Sequence, residues 1–394
     1  MQRLLSLVLC LAAAGGSAFA QETTTATAWS AAAERPPAVD LREELQKVRV
    51  TVKDMYGRAE TREIPVTIYR PADDAKHPLV VFNHGRATTD KRAMQGRSRP
   101  EQQARWLVKK GFVVMAPTRV GYADNFGDFD PEFSGNCNDR RMEAMHQAPV
   151  DQVLAAVELA RTLPYVDASR WVVMGQSLGG QTTVATVAAN PPGLVGGINF
   201  AGGSGGDPER NPGKPCSPHV VGQYWGKLAT SAKAPMLWLY WENDLYWGTE
   251  NPKDWSQAWT KGGGQVEFHQ LSPVGKDGHA GFNQDMDHWA PLAEAFLARL
   301  GFTTSGLPQR PAASGFAAID ELEKIPFVSA ANKEAQYKRF LQASKPRAFA
   351  ISERGAWGWA GGDWAMGRAI GACERNGQRC RLYAVDDDVV WGAR

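Results

Sequence analysis

Trp171-Val172-Val173-Met174-Gly175-Gln176-Ser177-Leu178-Gly179-Gly180 is a short apolar run that passes directly into a Gly-x-Ser-x-Gly pattern. The run reads as a strand covered on both faces, and Thr182 to Ala189 beyond it reads as a helix. Small residues at Gly175 and Gly179 suit a strained strand-to-helix turn whose backbones lie too close for side chains, so that Ser177 projects above the sheet. The helix behind it presents backbone N–H groups to a developing negative charge. The five-residue pattern alone does not decide, because Gly202-Gly203-Ser204-Gly205-Gly206 also fits it. That second copy leads into Asp207-Pro208 and a loop rich in Pro and Gly rather than a helix, so Ser177 is the predicted nucleophile.

Outward from this turn, further segments have strand character: Val48 to Val52, Ile64 to Tyr69, Leu79 to Phe82, Val113 to Met115, Leu194 to Phe200, Met236 to Tyr240 and Val266 to Leu271. Between them lie helical patterns, among them a stripe through Val150, Val153, Leu154, Val157 and Leu163 and a helix from His288 to Leu300. Strands alternating with helices predict a mostly parallel, doubly wound α/β sheet, with reactive groups in loops beyond the carboxyl ends of the strands.

A serine hydroxyl needs a positioned base and a carboxylate that orients it. Asp244 stands just past the strand Met236 to Tyr240, and His279 lies in the glycine-flanked loop after the strand ending at Leu271. The order serine, acid, histidine is that of an α/β-hydrolase. Glu242 is the rival acid, although it sits nearer the strand end. His288 is the rival base, although it opens a helix. The strand Leu79 to Phe82 ends in Asn83-His84-Gly85-Arg86, whose turn can offer a backbone N–H opposite the one after the nucleophile. The amides of Arg86 and Leu178 are therefore the expected oxyanion hole, and His84 is expected to be a structural hydrogen-bonding residue. Tyr122, Trp241 and Trp247 flank these strand ends and are candidate substrate-binding residues, against the commoner use of large rings as core. Arg119 reads either as a carboxylate grip or as half of a structural ion pair.

The run Arg70-Pro71 through His84-Gly85, the strand Gly111 to Pro117, the Gly175 to Gly180 turn, Asp244 and Gly278-His279 together resemble the dienelactone hydrolase-like branch of the α/β-hydrolase superfamily, over roughly Val48 to Gly301. The resemblance implies an eight-stranded sheet and hydrolysis of carboxylic esters through an acyl-enzyme, with Ser177, Asp244 and His279 as the triad. Dienelactone hydrolases proper use a cysteine nucleophile, whereas this chain has Ser177. The difference points to related serine esterases, including exported acyl and polyester hydrolases, or to serine peptidases of similar fold. A non-catalytic hydrolase fold used for binding is a third reading. No metal or organic cofactor is expected.

Met1-Gln2-Arg3, the apolar run Leu4 to Ala14 and Ala18-Phe19-Ala20 form a secretory signal-peptide pattern with cleavage expected after Ala20, which predicts a periplasmic or secreted protein. The run is shorter than the roughly 20 apolar residues a membrane span needs. The expected organisation is a signal peptide at 1–20, a flexible leader at 21–42, an α/β-hydrolase domain at 43–303, a linker at 304–325 and a small disulfide-linked α+β module at 326–394. In that module, helices are expected at Lys333 to Ala343 and Trp364 to Glu374, and strands at Arg347 to Ile351, Arg381 to Val385 and Val389 to Trp391. Beyond Cys10, the cysteines Cys373 and Cys380 bracket the turn dipeptide Asn376-Gly377 and are expected to pair, leaving Cys137 to bridge Cys216. None has the spacing of a zinc site. The 394 residues are 43% hydrophobic and 22% charged, an ordinary globular composition. The net charge of +2 provides no field for phosphate backbones, so a nucleic-acid partner is not expected. The expected partner is a small-molecule or polymeric ester.

Overall fold

The computed structural model describes residues 37–87, 91–302, 310–362, 365–375 and 378–392. The expected signal peptide, the leader as far as residue 36 and the turn dipeptide Asn376-Gly377 lie outside them. Described chain begins with a 3-10 turn at Val39–Leu41, and Leu41 is fully buried, so packing starts before the first expected strand. An antiparallel hairpin follows, β1 (Glu44–Lys53) and β2 (Ala59–Tyr69), and the burial of β1 alternates because it forms one edge of the sheet.

Continuous apolar runs then supply two strands covered on both faces, β3 (His77–Asn83) and β4 (Val113–Pro117), with helix α1 (Glu101–Lys109) between them. After a small hairpin, β5 (Gly135–Asn136) and β6 (Asp139–Arg140), helix α2 (Met142–Thr162) leads to β7 (Val166–Gln176) and α3 (Leu178–Ala189). The remaining units are β8 (Leu194–Phe200), α4 (Pro218–Ala229), β9 (Met236–Trp241), α5 (Glu250–Lys261), β10 (Val266–Leu271) and α6 (Met286–Arg299). Eight strands form one sheet in the order β1-β2-β4-β3-β7-β8-β9-β10. The β1/β2 and β2/β4 pairs are antiparallel and the others parallel. This is the α/β-hydrolase fold. The connections turn one way from β3 and the other way from β7, so the crevice between the carboxyl ends of these neighbours is the topological switch point where open α/β sheets bind ligands. Val80, Val81, Val114, Val172, Val173 and Met174 are all at most 1% exposed along these strands, each contributing about 1.5–3 kcal/mol by burial.

A second, four-stranded antiparallel sheet lies towards the carboxyl terminus: β11 (Arg347–Ile351), β12 (Trp357–Gly361), β13 (Arg381–Val385) and β14 (Asp388–Val389), in the order β12-β11-β13-β14. Helix α7 (Ala365–Glu374) covers one face with Ile370 and Cys373, and the helical segment from 330 to 342 covers the other with Tyr337 and Phe340. Strand β12 was not read from the sequence, and the strand expected at Val389 to Trp391 is only Asp388–Val389. Ala72, from the loop before β3, joins the α7 cluster, and Arg42 donates to the Ala72 carbonyl at 3.0 Å. The small sheet therefore packs at the amino end of β3, away from the crevice.

His146 on α2 is buried; its Nδ1–H donates to the Met142 carbonyl at 2.6 Å and its Nε2 accepts from the Trp225 indole on α4 at 3.0 Å. Burial pulls its pKa down to about 3. The folded protein thus holds a neutral imidazole, while the unfolded chain takes up the proton below about pH 6.5. The associated stability is fully present above pH 6.5 and is lost as the pH falls towards 3, the part lost by pH 5 being ~2 kcal/mol. Denaturant titrations of wild type and His146→Asn at pH 7 and pH 5 test this: the stability gap between them is expected to shrink by about that amount at pH 5, and an unchanged gap would contradict it.

Candidate active site

Strand β7 ends at Gln176, α3 starts at Leu178, and the single residue between them, Ser177, has φ +60°. A side chain in that region costs of order 1–3 kcal/mol, which the surrounding packing must impose. Two glycines make the turn possible. A Cβ on Gly175 would lie 2.3 Å from the Gly179 carbonyl oxygen, and one on Gly179 would lie 2.0 Å from the Asn83 carbonyl at the end of β3. The Ser177 amide donates to Phe200 of β8 at 2.9 Å, which fixes the turn to the next strand.

The other two parts come from loops after β9 and β10. Asp244 has a fully buried side chain whose Oδ1 accepts from the amides of Tyr246 at 2.7 Å and Trp247 at 3.1 Å. Its Oδ2 lies 3.0 Å from His279 Nδ1, and His279 Nε2 lies 2.9 Å from Ser177 Oγ. His279 sits in a 3-10 turn, Gly278–Ala280, capped by Asp277, whose Oδ1 accepts from the His279 amide at 2.9 Å and from the Leu245 amide at 3.0 Å. Asp277 thereby ties the loop of the acid to the loop of the base. The Tyr246 ring stacks on the imidazole with centroids 3.9 Å apart, Trp247 meets it edge-on at 5.4 Å, and Gln176 Nε2 donates to the His279 carbonyl at 3.1 Å.

The rival residues lie elsewhere. Glu242 is exposed. His288, in the first turn of α6, is 77% exposed and bonded to Asp285, which raises its pKa. Ser204 Oγ accepts from Arg140 at 2.7 Å, where burial has pulled the guanidinium down to about 10. Arg140 also donates to the Cys216 carbonyl, beside the bond between Cys216 and Cys137. The other disulfide joins Cys373 to Cys380.

Three expected substrate contacts need correction. Tyr122 is fully buried, with its hydroxyl bonded to Glu132 and its ring against His84. Trp241 is fully buried and donates to Asp285 at 2.7 Å; Trp247 is 2% exposed and donates to the Ala201 carbonyl at 2.7 Å. Each indole N–H found a partner in the interior, so these rings support the site from behind. Next to Gly85 and Gln176, with neither Ser177 nor His279 in its walls, lies a cavity of about 300 Å³, polar at Gln95, Arg97, Arg99 and Asn283 and aromatic at Phe82 and Phe282. Arg119 is fully buried against Glu132. His84 donates from Nδ1 to the Gly85 carbonyl at 2.7 Å and accepts at Nε2 from the Arg119 amide at 3.1 Å. Burial and the Arg119 charge hold its pKa well below the ordinary histidine value. Asp277 and Glu132 were missed in the sequence. The pattern Asp277-Gly278-His279, an Asx cap before a turn, could have revealed the first.

The Arg86 and Leu178 amides have no acceptor among the described hydrogen bonds. Leu178 follows Ser177 at the start of α3, where first-turn N–H groups have no intrahelical partner, and Arg86 follows Gly85, where a Cβ would lie 3.2 Å from the Ser177 Cβ. Such an arrangement can activate a hydroxyl and receive a negative oxygen beside it. Among the described residues no group of three or more His, Cys, Asp or Glu side chains could hold a metal ion, and no helix is long and apolar enough to cross a membrane.

Residues 64–295 match the model of the dienelactone hydrolase family. No curated protein matches the chain. Similar solved structures include an acylaminoacyl peptidase of Pyrococcus horikoshii (16% identity, 68% of this chain and 43% of that one, TM-score 0.45). Others are an esterase of Pyrococcus furiosus (14%, 68% and 96%, 0.45) and a candidate dienelactone hydrolase of Klebsiella pneumoniae (18%, 67% and 100%, 0.40). This chain therefore spans less than half the length of that peptidase, and these likenesses concern the fold alone.

Gly179→Ala is expected to lower stability by ~1–3 kcal/mol or to prevent folding, because its methyl has no room against the Asn83 carbonyl. A thermal midpoint equal to wild type would refute the close approach of β3 and α3.

Proposed function

We propose that this chain, which belongs to the dienelactone hydrolase family, is an exported serine hydrolase that cleaves carboxylic esters through an acyl-enzyme. The observation that carries the reading is the unbroken hydrogen-bonded series Ser177 Oγ, His279 Nε2, His279 Nδ1 and Asp244 Oδ2, at 2.9 and 3.0 Å. In this reading Ser177 Oγ attacks the ester carbonyl while His279 Nε2 takes its proton. Asp244 holds the imidazole in the required tautomer and faces the imidazolium that forms. The carbonyl oxygen, now negative, is received by the Arg86 and Leu178 amides. Collapse of this intermediate expels the alcohol, protonated by His279, and leaves the acyl group on Ser177. Water activated by the same imidazole then releases the acid. Ester cleavage is favoured over amide cleavage by the family itself, whose name refers to the hydrolysis of a lactone, a cyclic ester. Export is supported by the two disulfides, which belong to oxidising compartments, and by the signal-peptide pattern at residues 1–20.

Short-chain 4-nitrophenyl esters and a panel of aminoacyl and peptidyl amides test the reading. Wild type is expected to turn over the esters and to be labelled at Ser177 by a fluorophosphonate. Ser177→Ala is expected to lose at least ~10⁴-fold in kcat and Asp244→Asn about 10⁴-fold. Equal ester turnover by wild type and Ser177→Ala would remove the proposal, and turnover of the amides alone would replace the ester reading with a peptidase.

A further inference from the structure

Beside the crevice lies a cluster of charges that the mechanism above leaves unused. The Glu132 side chain is wholly buried and accepts from Arg119 Nε, from the Tyr122 hydroxyl and, at 3.3 Å, from Arg86 Nη1. Two residues earlier, Asp130 holds the same Arg86 in a two-pronged bond, Nη1 to Oδ1 at 3.0 Å and Nη2 to Oδ2 at 2.6 Å. Asp130 also pairs with Arg92 at 3.0 Å. On the far side, Arg119 Nη1 donates to the His84 carbonyl at 2.7 Å, and the Arg119 amide donates to His84 Nε2. The cluster thus grips the turn His84-Gly85-Arg86 at the His84 carbonyl, at His84 Nε2 and at the Arg86 guanidinium, while His84 Nδ1 closes on the Gly85 carbonyl within the turn. The Arg86 amide is left without an acceptor among the described hydrogen bonds.

A wholly buried carboxylate between guanidinium groups is an expensive way to hold a loop, since apolar packing of similar volume often stabilises as well or better. What the ionic cluster adds is direction. Both guanidinium groups are planar forks with fixed donor geometry, and the element they fix is the one whose N–H must meet an oxygen to within a few tenths of an ångström. A residue in contact with neither substrate nor Ser177 can in this way set the rate, because a misplacement of about 1 Å can cost 10²-fold.

Resting on the reading of Ser177 as nucleophile, we propose that Glu132 is a positioning residue for the oxyanion hole, acting through Arg119 and Arg86 to aim the Arg86 amide. Asp130 is its more exposed helper on the same guanidinium. The cluster faces the turn after β3 and makes no described contact with His279 or Asp244.

The test compares wild type with Glu132→Gln, which keeps the shape and removes the charge, and with Asp130→Asn. Three readouts distinguish aim from mere stability: the separation of kcat from KM, the acid limb of the pH–rate profile, and the rate ratio between an ester and the matching thionoester, whose sulfur makes weaker hydrogen bonds in the hole. For Glu132→Gln the expected result is a kcat lower by about 10- to 100-fold with KM within about twofold, an unmoved acid limb and an ester-to-thionoester ratio that falls towards one. Asp130→Asn is expected to shift the same quantities less. If Glu132→Gln does not fold, Arg86→Lys supplies the measurement, since it keeps the backbone amide and loses the fork; the same pattern supports the proposal. Wild-type kcat in the folded variant, a change confined to KM, a moved acid limb or an unchanged ester-to-thionoester ratio overturns it. Failure of the parent reading shows separately, as ester turnover surviving in Ser177→Ala.

Discussion

The close approach of three backbones at the carboxyl ends of β3 and β7 governs the rest of this structure. Asn83, Gly175 and Gly179 meet where no Cβ fits, and that contact forces Ser177 into φ +60°. The strain is borne by buried neighbours: α3 is enclosed along nearly its whole length, and the carboxyl-terminal stretches of β3 and β7, 79–83 and 171–175, are buried. Because the turn is closely packed, the loops around it meet the Ser177 hydroxyl in one arrangement.

Each of those loops is held by side chains that carry no proposed chemistry. Asp277 couples the Asp244 loop to the His279 turn through two backbone amides. Tyr246 and Trp247 limit the tilt of the imidazole from two directions, and Gln176 secures the His279 carbonyl. On the opposite wall, the arginines and carboxylates around His84 perform the same service for the turn after β3. Hydrogen bonds thus hold the loops of Asp244 and His279, and ion pairs hold the turn after β3. This division is typical of sites whose reacting groups must hold position without solvent rearrangement.

The tryptophans show how the same residue type can serve either side of a fold. Trp238, Trp241, Trp247, Trp255 and Trp259 are at most 2% exposed and pack behind the strand ends. From the sequence alone, Trp241 and Trp247 were candidates to line a cleft against the commoner use of such rings as core, because a ring beside a strand end can turn inwards or outwards. Their burial leaves the cavity next to Gly85 with mixed polar and aromatic walls. The strand β12 was hidden for a related reason. Trp357-Gly358-Trp359-Ala360-Gly361 is too rich in glycine to read as a strand, yet Gly358 is needed there because a Cβ would lie 2.4 Å from the Cys373 amide of α7.

Local order in the sequence was sufficient for the sheet type, for the strand-to-helix turn at Ser177, and for the loop positions of Asp244 and His279 after their strands. Strand and helix periodicities and the glycine requirement of a tight turn arise between residues a few positions apart, so they leave a readable pattern. The tertiary structure alone decided that Tyr122, Trp241 and Trp247 are buried, that Arg119 belongs to Glu132 rather than to a ligand, and that the small sheet packs at the amino end of β3. Those outcomes depend on which distant residue satisfies a buried N–H or a buried charge. Such partners, like Glu132 and Arg86 across 46 positions, are matched by the folded shape and not by spacing along the chain.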